Sequence, residues 1–365
     1  MPKGYGYGNA RLRARRSRLL TAADYERLLA CPTPAALTTA LHQTPYRAEL
    51  ETALMQIGPE RAIFEALRQN FSRSLRQMRG FFAGRPQNRV DLLLRRWDRH
   101  NLLAILRGQS HKIPARQIQE ALIPVGRLDA VSLRELARQP GLTAALDLML
   151  AWRLPYARAL HQARARVGLA PDLDELELAL SQAYFQEQLA ATAPHNGNGR
   201  LLRESVCTEI DLVNIRAALR LTRQPGLSAM AQQHYEPGGL NRLLVQPGGH
   251  LPAARLAQLV NQAGGMGDVI EGLRDTRYGP ALQLGWERYR SASGSDTMIE
   301  RELERWQTRA AAALFRHNPL GIGIPMAYLA CKEAEVANLR LVAQAVALDL
   351  DREAIKQDLI LPATT

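Results

Sequence analysis

A carboxylate and an asparagine stand side by side on an apolar helical segment of this sequence. In EIDLVNIRAALR (209–220), Asp211 and Asn214 are three residues apart among isoleucine, leucine and valine at helical spacing, so they share one face of a predicted helix. Such a pair could work as a catalytic base, ligate a cation, or hydrogen-bond to a neighbouring element. The rest of the sequence has to decide between these roles.

The same pair occurs twice more. Asp98 and Asn101 stand in WDRHNLLAILRG, Glu335 and Asn338 stand in KEAEVANLRLVAQ, and the three asparagines are 113 and 124 positions apart. A catalytic constellation is normally one asymmetric set of residues. A pair that occurs once in each of three places favours a structural role, in which the acid and the asparagine bind a nearby helix end or turn.

Other features recur in step with these pairs. A tyrosine followed four residues later by leucine precedes each asparagine by 55, 58 or 60 residues: Tyr46, Tyr156 and Tyr278. A break rich in Gly, Pro or Ser follows each tyrosine, at IGP (57–59), GLAP (168–171) and SASGSD (291–296). We expect the tyrosines to belong to the same structural framework as the acids and asparagines.

A leucine-rich segment opens each copy. It begins at Leu20, Leu128 and Leu251, and a Pro-x-Gly turn precedes the last two, in PVGRL and PGGHL. The sequence therefore predicts a basic N-terminal helix at 1–19 and three diverged helical repeats at 20–127, 128–250 and 251–365, each of normal domain size.

Composition points to an all-α fold. Leu, Ala, Arg, Gln and Glu dominate, and aromatic residues make up only 5% of the 365 residues. No apolar run approaches the length of a membrane span, and the first twenty residues lack the apolar core of a signal peptide. We expect a soluble, intracellular protein.

The cysteines and histidines do not form a recognisable reactive site. Cys207 and Cys331 each lie seven residues before their asparagine, where the first repeat has Leu94, which is typical of a buried apolar position. We expect these two cysteines and Cys31 to be reduced and buried. No histidine spacing suits a metal, and no phosphate-binding loop is present, so we predict no metal, no cofactor and no catalytic residue.

Two arginines could pair with the recurring acids. Arg107 and Arg220 each follow their asparagine by six residues, whereas the third repeat has Gln344 at that place. The pairing, if formed, is therefore predicted for the first two repeats only.

The amino-terminal segment is strongly basic. NARLRARRSRLL (9–20) carries five arginines and no acid, and Arg11, Arg15 and Arg18 would share one face of a helix. That face could bind an acidic or phosphate-bearing partner, or could simply be solvated. The formal charge of +12 also allows a basic helical-repeat scaffold that binds nucleic acid, although stacking aromatics and a known reading motif are not evident.

The order and spacing of several segments along the chain resemble those of the C subunit of archaeal and bacterial V-type (A-type) ATPases. That subunit is the equivalent of the d subunit in the eukaryotic vacuolar enzyme. The resemblance spans nearly the whole chain and is carried by YGYGNARLRARRSRLL, DYERLL, TPYRAEL, EIDLVNIRAALR, LLVQPGGHL and CKEAEVANLRLVAQA.

The resemblance implies a structural coupling component and not an enzyme. It implies three similar helical domains with pseudo-threefold arrangement, forming a funnel around a central cavity. The partners it implies are the cytoplasmic loops of the membrane proteolipid ring, the D and F subunits of the central stalk and, indirectly, the catalytic head. The chain would be part of the rotor at the cytoplasmic face of the membrane, without a span of its own, and would couple ATP hydrolysis or synthesis to proton or sodium transport.

Overall fold

In the described part of the chain, the fold consists of α-helices and two short 3-10 helices, Gly239–Leu243 and Leu314–Arg316. The computed structural model describes residues 4–167, 173–192, 196–223, 239–291 and 297–361, and within these ranges there is no β-strand. The prediction of an all-α protein is confirmed. The predicted break GLAP (168–171) and all but the first residue of SASGSD (291–296) lie outside the described residues.

The helices group into two compact units, one of which contains both ends of the chain. That unit comprises Met1–Leu94 and Glu304–Thr365. Its helices are α1 (Gly6–Arg16), α2 (Ala22–Leu29), α3 (Pro34–Leu41), α4 (Arg47–Leu54), α5 (Pro59–Gly80), α6 (Arg85–Leu94), α18 (Gly323–Ala347) and α19 (Arg352–Asp358).

The other unit comprises Arg95–Leu303. Its helices are α7 (Arg96–Ser110), α8 (Ala115–Glu120), α9 (Ala130–Ala137), α10 (Leu142–Ala151), α11 (Ala157–Val167), α12 (Leu173–Ala191), α13 (Gly197–Arg223), α14 (Ala253–Gln262), α15 (Met266–Gly272) and α16 (Gly279–Ser291). A further helix, α17 (Thr297–Ala313), crosses the division at residue 303. The two points at which the chain passes from one unit to the other, after residues 94 and 303, fall inside the first and third predicted repeats. The repeat boundaries stay a prediction.

Helix α18 organises the first unit. It packs against α1, α2, α3 and α5, so a helix from the end of the chain lies in the core formed by its beginning. The local sequence sets where these helices begin: Thr21 and Asp24 form a capping box at α2, and Pro59 is accommodated at the first position of α5.

Helices α7 and α18, which carry the first and third acid–asparagine pairs, end in the same way. Lys112 and Asp349 adopt the left-handed conformation, with φ of 54° and 49°. The next residue in each case donates its N–H to the carbonyl five positions earlier, at 2.8 Å for Ile113 and 2.9 Å for Leu350. Both ends are therefore Schellman-type caps.

Candidate functional site

The three acid–asparagine pairs are among the most buried polar groups of the protein. The exposed fractions are 0% for Asp98, Asn101, Asp211 and Asn214, 4% for Glu335 and 1% for Asn338. Because a buried polar group without a partner is costly, the contacts of these side chains decide what they do.

Each asparagine makes the same pair of hydrogen bonds to one backbone residue. The side-chain amide donates to the carbonyl of that residue, at 2.8, 2.9 and 2.9 Å, and the side-chain oxygen accepts from its N–H, at 2.7, 2.8 and 2.8 Å. The three pairs are Asn101 with Ile123, Asn214 with Val245, and Asn338 with Ile360. The asparagine side chain thus pairs with the backbone of a segment beside the helix, as the backbone of a neighbouring β-strand would.

Each acid accepts the N–H of the leucine that opens a predicted repeat. Asp98 accepts from Leu128 at 3.0 Å, Asp211 from Leu251 at 3.1 Å, and Glu335 from Leu20 at 2.6 Å. For the first two acids, this leucine opens the repeat that follows in the sequence. The acid of the third repeat binds the opening leucine of the first repeat, within the unit that contains both chain ends.

Two glycines allow the carboxylates to reach the turns. The N–H groups of Gly249 and His250 also donate to Asp211, at 3.1 and 2.9 Å. A Cβ atom on Gly126 would lie 2.2 Å from Oδ1 of Asp98, and one on Gly249 would lie 2.6 Å from Oδ1 of Asp211. Both glycines stand in the Pro-x-Gly turns noted in the sequence, where that motif is the only signal of their role.

Alanine at Gly249 is expected to lower the free energy of unfolding by about 2–3 kcal/mol, because the added Cβ would lie 2.0 Å from the backbone oxygen of Cys207. Urea unfolding followed by circular dichroism measures the change. The matched control is Gly80→Ala, at the end of α5, where a Cβ meets nothing within 4 Å. Equal stability of the two variants would contradict the close approach.

The repeat tyrosines also reach carboxylates. Tyr278 donates its hydroxyl to Asp211 at 2.7 Å, and Tyr46 donates to Glu335 at 2.7 Å. Tyr156 donates instead to Glu187, at 2.8 Å. The structure therefore brings tyrosine, acid and asparagine together at two of the three places.

At the remaining place, Arg127 lies between the tyrosine and the acid. Its side chain donates to Oδ2 of Asp98 at 3.4 Å and to the hydroxyl of Tyr156 at 2.8 Å, and it pairs with Glu187 at 2.8 Å. Tyr156 itself adopts a left-handed conformation, with φ of 67°. Arg127 and Glu187 were not singled out from the sequence, because neither recurs at the matching position of another repeat.

A buried ion pair is particular to the third pair. The ammonium of Lys332 lies 2.6 Å from Glu335 and 2.9 Å from the hydroxyl of Tyr46, and Lys332 is only 4% exposed. Burial lowers the pKa of Lys332, whereas the nearby Glu335 carboxylate acts in the opposite direction. The second repeat has Thr208 at the position that corresponds to Lys332.

Burial also raises the pKa values of Asp98 and Asp211, against the opposing effect of the backbone and tyrosine hydrogen bonds. A raised folded-state pKa means that ionisation of these groups opposes folding as the pH rises above about 4. Their backbone hydrogen bonds therefore offset a desolvation cost. A carboxylate enclosed in this way presents no open position to a substrate, and this geometry suits a joint between helices.

Alkaline pH is expected to unfold the protein through its buried tyrosines. Burial raises the pKa values of Tyr46, Tyr156 and Tyr278, and the neighbouring carboxylates add to the effect. In the unfolded chain these groups ionise near pH 10, so the folded state holds more protons and stability falls as the pH rises through about 10.

The measurement is a pH titration that follows tyrosinate absorbance and helicity together. We expect the absorbance change of these buried tyrosines to coincide with the loss of helicity in one cooperative step, because their hydroxyls must be exposed before they ionise. Complete tyrosine ionisation near pH 10 with full helicity would show that these hydroxyls are accessible to solvent.

The expectation that Arg107 and Arg220 pair with the recurring acids is wrong. Arg107 makes a two-pronged contact with Glu177, with both distances 2.6 Å, and Arg220 lies 4.0 Å from Glu300. Six residues after the asparagine, a side chain on the same helix has turned away from the buried face and meets a neighbouring helix.

The cysteines are free thiols with raised pKa values, chiefly because of burial. Cys331 is buried and its pKa rises to about 11. Cys31 and Cys207 are only half-buried, which corrects the expectation that all three are buried. Raised pKa values keep thiols protonated and weakly nucleophilic at neutral pH.

The basic segment forms α1, but Arg18 lies in the turn after its last residue, so the prediction that Arg11, Arg15 and Arg18 share one helix is wrong for Arg18. Arg11 and Arg15 lie over the ring of Phe81, at 4.9 and 5.1 Å from its centre. The opposite side of α1 is buried. Leu12 is inaccessible there, and the Asn9 amide donates to the carbonyl oxygens at 319 and 321 at 2.7 and 2.9 Å.

Neither a metal site nor a membrane span is found in the part of the chain that the structure describes. No three His, Cys, Asp or Glu side chains there are grouped to hold a metal ion. No helix among the same residues is long and apolar enough to cross a bilayer.

Comparison with known proteins identifies the family. Residues 8–358 match the profile of the family described as ATP synthase (C/AC39) subunit. The chain belongs to this family. The match covers all three acid–asparagine pairs, so the resemblance seen in the sequence is confirmed.

Relatives in the C/AC39 family match over nearly their full length. The C subunit of the V-type ATP synthase of Deinococcus radiodurans is 26% identical, over 98% of this chain and 92% of the relative. The C subunits of the A-type ATP synthases of Haloquadratum walsbyi and Haloferax volcanii are each 25% identical, over 96% and 97% of this chain and 97% of each relative.

Proposed function

We propose that this chain is a non-catalytic rotor component of a V-type or A-type ATP synthase. It caps the membrane proteolipid ring and provides the socket for the D and F subunits of the central stalk, and so couples ATP hydrolysis or synthesis in the catalytic head to proton or sodium transport. The observation that carries the proposal is the full-length match to proteins named as the C subunit of this complex.

The buried hydrogen bonds of the acid–asparagine pairs support a mechanical role. A part that transmits torque has to resist deformation, and the acid–asparagine pairs tie helices to the turns beside them by hydrogen bonds that water does not reach. In the first unit, the third pair also ties Leu20 and Ile360, residues near opposite ends of the chain. The funnel with pseudo-threefold arrangement remains an implication of the family.

Purification from the host membrane tests the proposal. The tagged protein is extracted in mild detergent and the co-purifying chains are identified by mass spectrometry. We expect a proteolipid, the stalk proteins and the catalytic head, as for a peripheral component that we propose to lie on the cytoplasmic side of the membrane. Recovery of nucleic acid without these proteins would favour the basic scaffold instead.

Charge reversal on α1 and in the turn that follows it tests whether the arginines there take part in assembly. Arg15 is half-buried and hydrogen-bonds to Tyr328, so its replacement would disturb the fold, and the variant is limited to two exposed arginines, Arg11→Glu with Arg18→Glu. We expect recovery of the complex to fall about tenfold with helicity unchanged, because exposed charges affect association more than stability.

The matched control reverses two other exposed arginines of the same unit, Arg309→Glu with Arg352→Glu. It has the same net charge as the α1 variant. Equal recovery of the complex with both variants would mean that α1 has no special part in assembly.

A further inference from the structure

The exposed face of α1, together with Arg18 in the turn after it and Leu320 beside its start, combines cations with apolar side chains. We define the basic strip as Arg11, Arg13, Arg18, Tyr7 and Leu320. The three arginines are exposed, Tyr7 is 43% exposed and Leu320 is 63% exposed. Leu320 borders the start of the helix, since a Cβ on Gly6 would lie 3.5 Å from its side chain.

Arg11 and Arg13 of the strip are oriented by contacts other than ion pairs. Arg11 stacks over the rings of Tyr7 and Phe81 and donates to the Tyr7 hydroxyl, and Arg13 donates to the carbonyl of Phe315 at 2.7 Å. Within the described residues we find no carboxylate paired with Arg11, Arg13 or Arg18. Other arginines of the same unit do have one, as Arg79 has with Asp91 at 2.6 Å.

The shape of the strip suits a flat partner. Ala10, Ala14 and Ser17 form the middle of the exposed face, and the longer side chains of Arg11 and Arg13 stand on either side of it. A helix with small central residues and flanking cations can lie closely on a plane of negative charge. The exposed Tyr7, and Leu320 beside the start of the helix, suit the boundary between headgroups and acyl chains.

We propose that the basic strip binds the anionic headgroups of a phospholipid bilayer. The inference rests on the proposed function only in placing a membrane beside the chain. Phosphate groups accept hydrogen bonds from arginine, while Tyr7 and Leu320 would insert at the interface without crossing it. The strip would help to hold the protein against the membrane surface next to its protein partners.

Vesicle co-sedimentation of the full chain tests this inference. The vesicles are phosphatidylcholine alone or phosphatidylcholine with phosphatidylglycerol. We expect binding to the anionic vesicles only, weakened by salt. Arg11→Gln with Arg13→Gln and Arg18→Gln should reduce the affinity roughly a hundredfold, from about a fivefold loss for each arginine near the surface.

A matched control removes the same charge elsewhere. It combines Arg255→Gln, Arg309→Gln and Arg352→Gln, all exposed, and we expect it to bind anionic vesicles as the wild type does. A second variant, Tyr7→Ser with Leu320→Ser, should lower the affinity for anionic vesicles several-fold while the salt dependence is kept. Circular dichroism verifies the helicity of each variant.

Three outcomes would overturn the inference: no binding to anionic vesicles, equal loss in the control variant, or binding to soluble polyglutamate as tight as to vesicles. The last would assign the strip to an acidic protein. Failure of vesicle binding together with normal co-purification of the ring and stalk proteins would reject the lipid contact alone. Failure of the co-purification would reject the proposed function.

Discussion

Alanine in place of Glu335 is expected to lower the free energy of unfolding by about 3–5 kcal/mol. The change would leave the Lys332 ammonium buried without its carboxylate, which now lies 2.6 Å away. It would also remove the acceptor of the Tyr46 hydroxyl and of the Leu20 N–H. Urea unfolding measures the loss, and amide hydrogen exchange at Leu20 locates it.

Two further variants show whether the unpaired charge is the cause. Glu51→Ala removes a carboxylate of the same unit from an exposed pair with Arg47 and is expected to leave the unfolding midpoint unchanged. Lys332→Met with Glu335→Gln should recover most of the loss, because both charges are then absent. If Glu335→Ala unfolds at the wild-type midpoint, the buried pair has no stabilising role.

Alanine in place of Asp211 is also expected to have a large effect and to lower the free energy of unfolding by about 3–5 kcal/mol. Three backbone N–H groups, those of Gly249, His250 and Leu251, and the hydroxyl of Tyr278 would lose their acceptor in a buried site. Since these groups all belong to the unit of residues 95–303, hydrogen exchange should accelerate at 249–251 and not at Leu20.

Asp147→Ala is the control for this variant. Asp147 belongs to the same unit, but its side chain is 56% exposed and pairs with Arg164 at the surface, so its loss should have little effect on unfolding. Asp211→Asn should have an intermediate effect, since one oxygen remains to accept while the new amide faces N–H donors. Unchanged exchange at 249–251 in Asp211→Ala would contradict the view that the carboxylate holds this turn.

The sequence pattern was informative about the helical framework because the framework repeats. Three copies of an acid and an asparagine on apolar helices indicated buried polar groups, and the leucines aligned at the start of each copy proved to be the residues whose N–H groups the acids accept. The apolar residues of α5 also stand at helical spacing, and Leu67, Phe71 and Leu75 are buried.

The backbone partners could not be predicted in the same way. Every residue other than proline has both a backbone N–H and a carbonyl. The amino-acid sequence therefore does not distinguish Ile123, Val245 or Ile360 as partners of the asparagines. Gly126 and Gly249 were visible as turn residues. That they make room for a carboxylate depends on a close approach that only the folded chain reveals.

Features without repeat symmetry were missed or misassigned. Arg127 and Glu187 replace a direct contact between Tyr156 and Asp98, and they occur at that place in one repeat only. The six-residue spacing of Arg107 suggested a pair with Asp98, but Arg107 instead reaches Glu177 on α12. The ion-pair partner of a long charged side chain depends on which neighbouring helix that side chain can reach. Spacing along one helix does not determine this partner.

The central claim is that this chain couples the catalytic head to the ring. The most direct test is to measure ATP-driven ion pumping in membranes prepared from a host strain that lacks the chain. We predict that pumping is lost and that the catalytic head, still able to hydrolyse ATP, is released from the membrane. Adding back the purified chain should restore both attachment and pumping. Undiminished pumping in its absence would contradict a role in coupling the head to the ring.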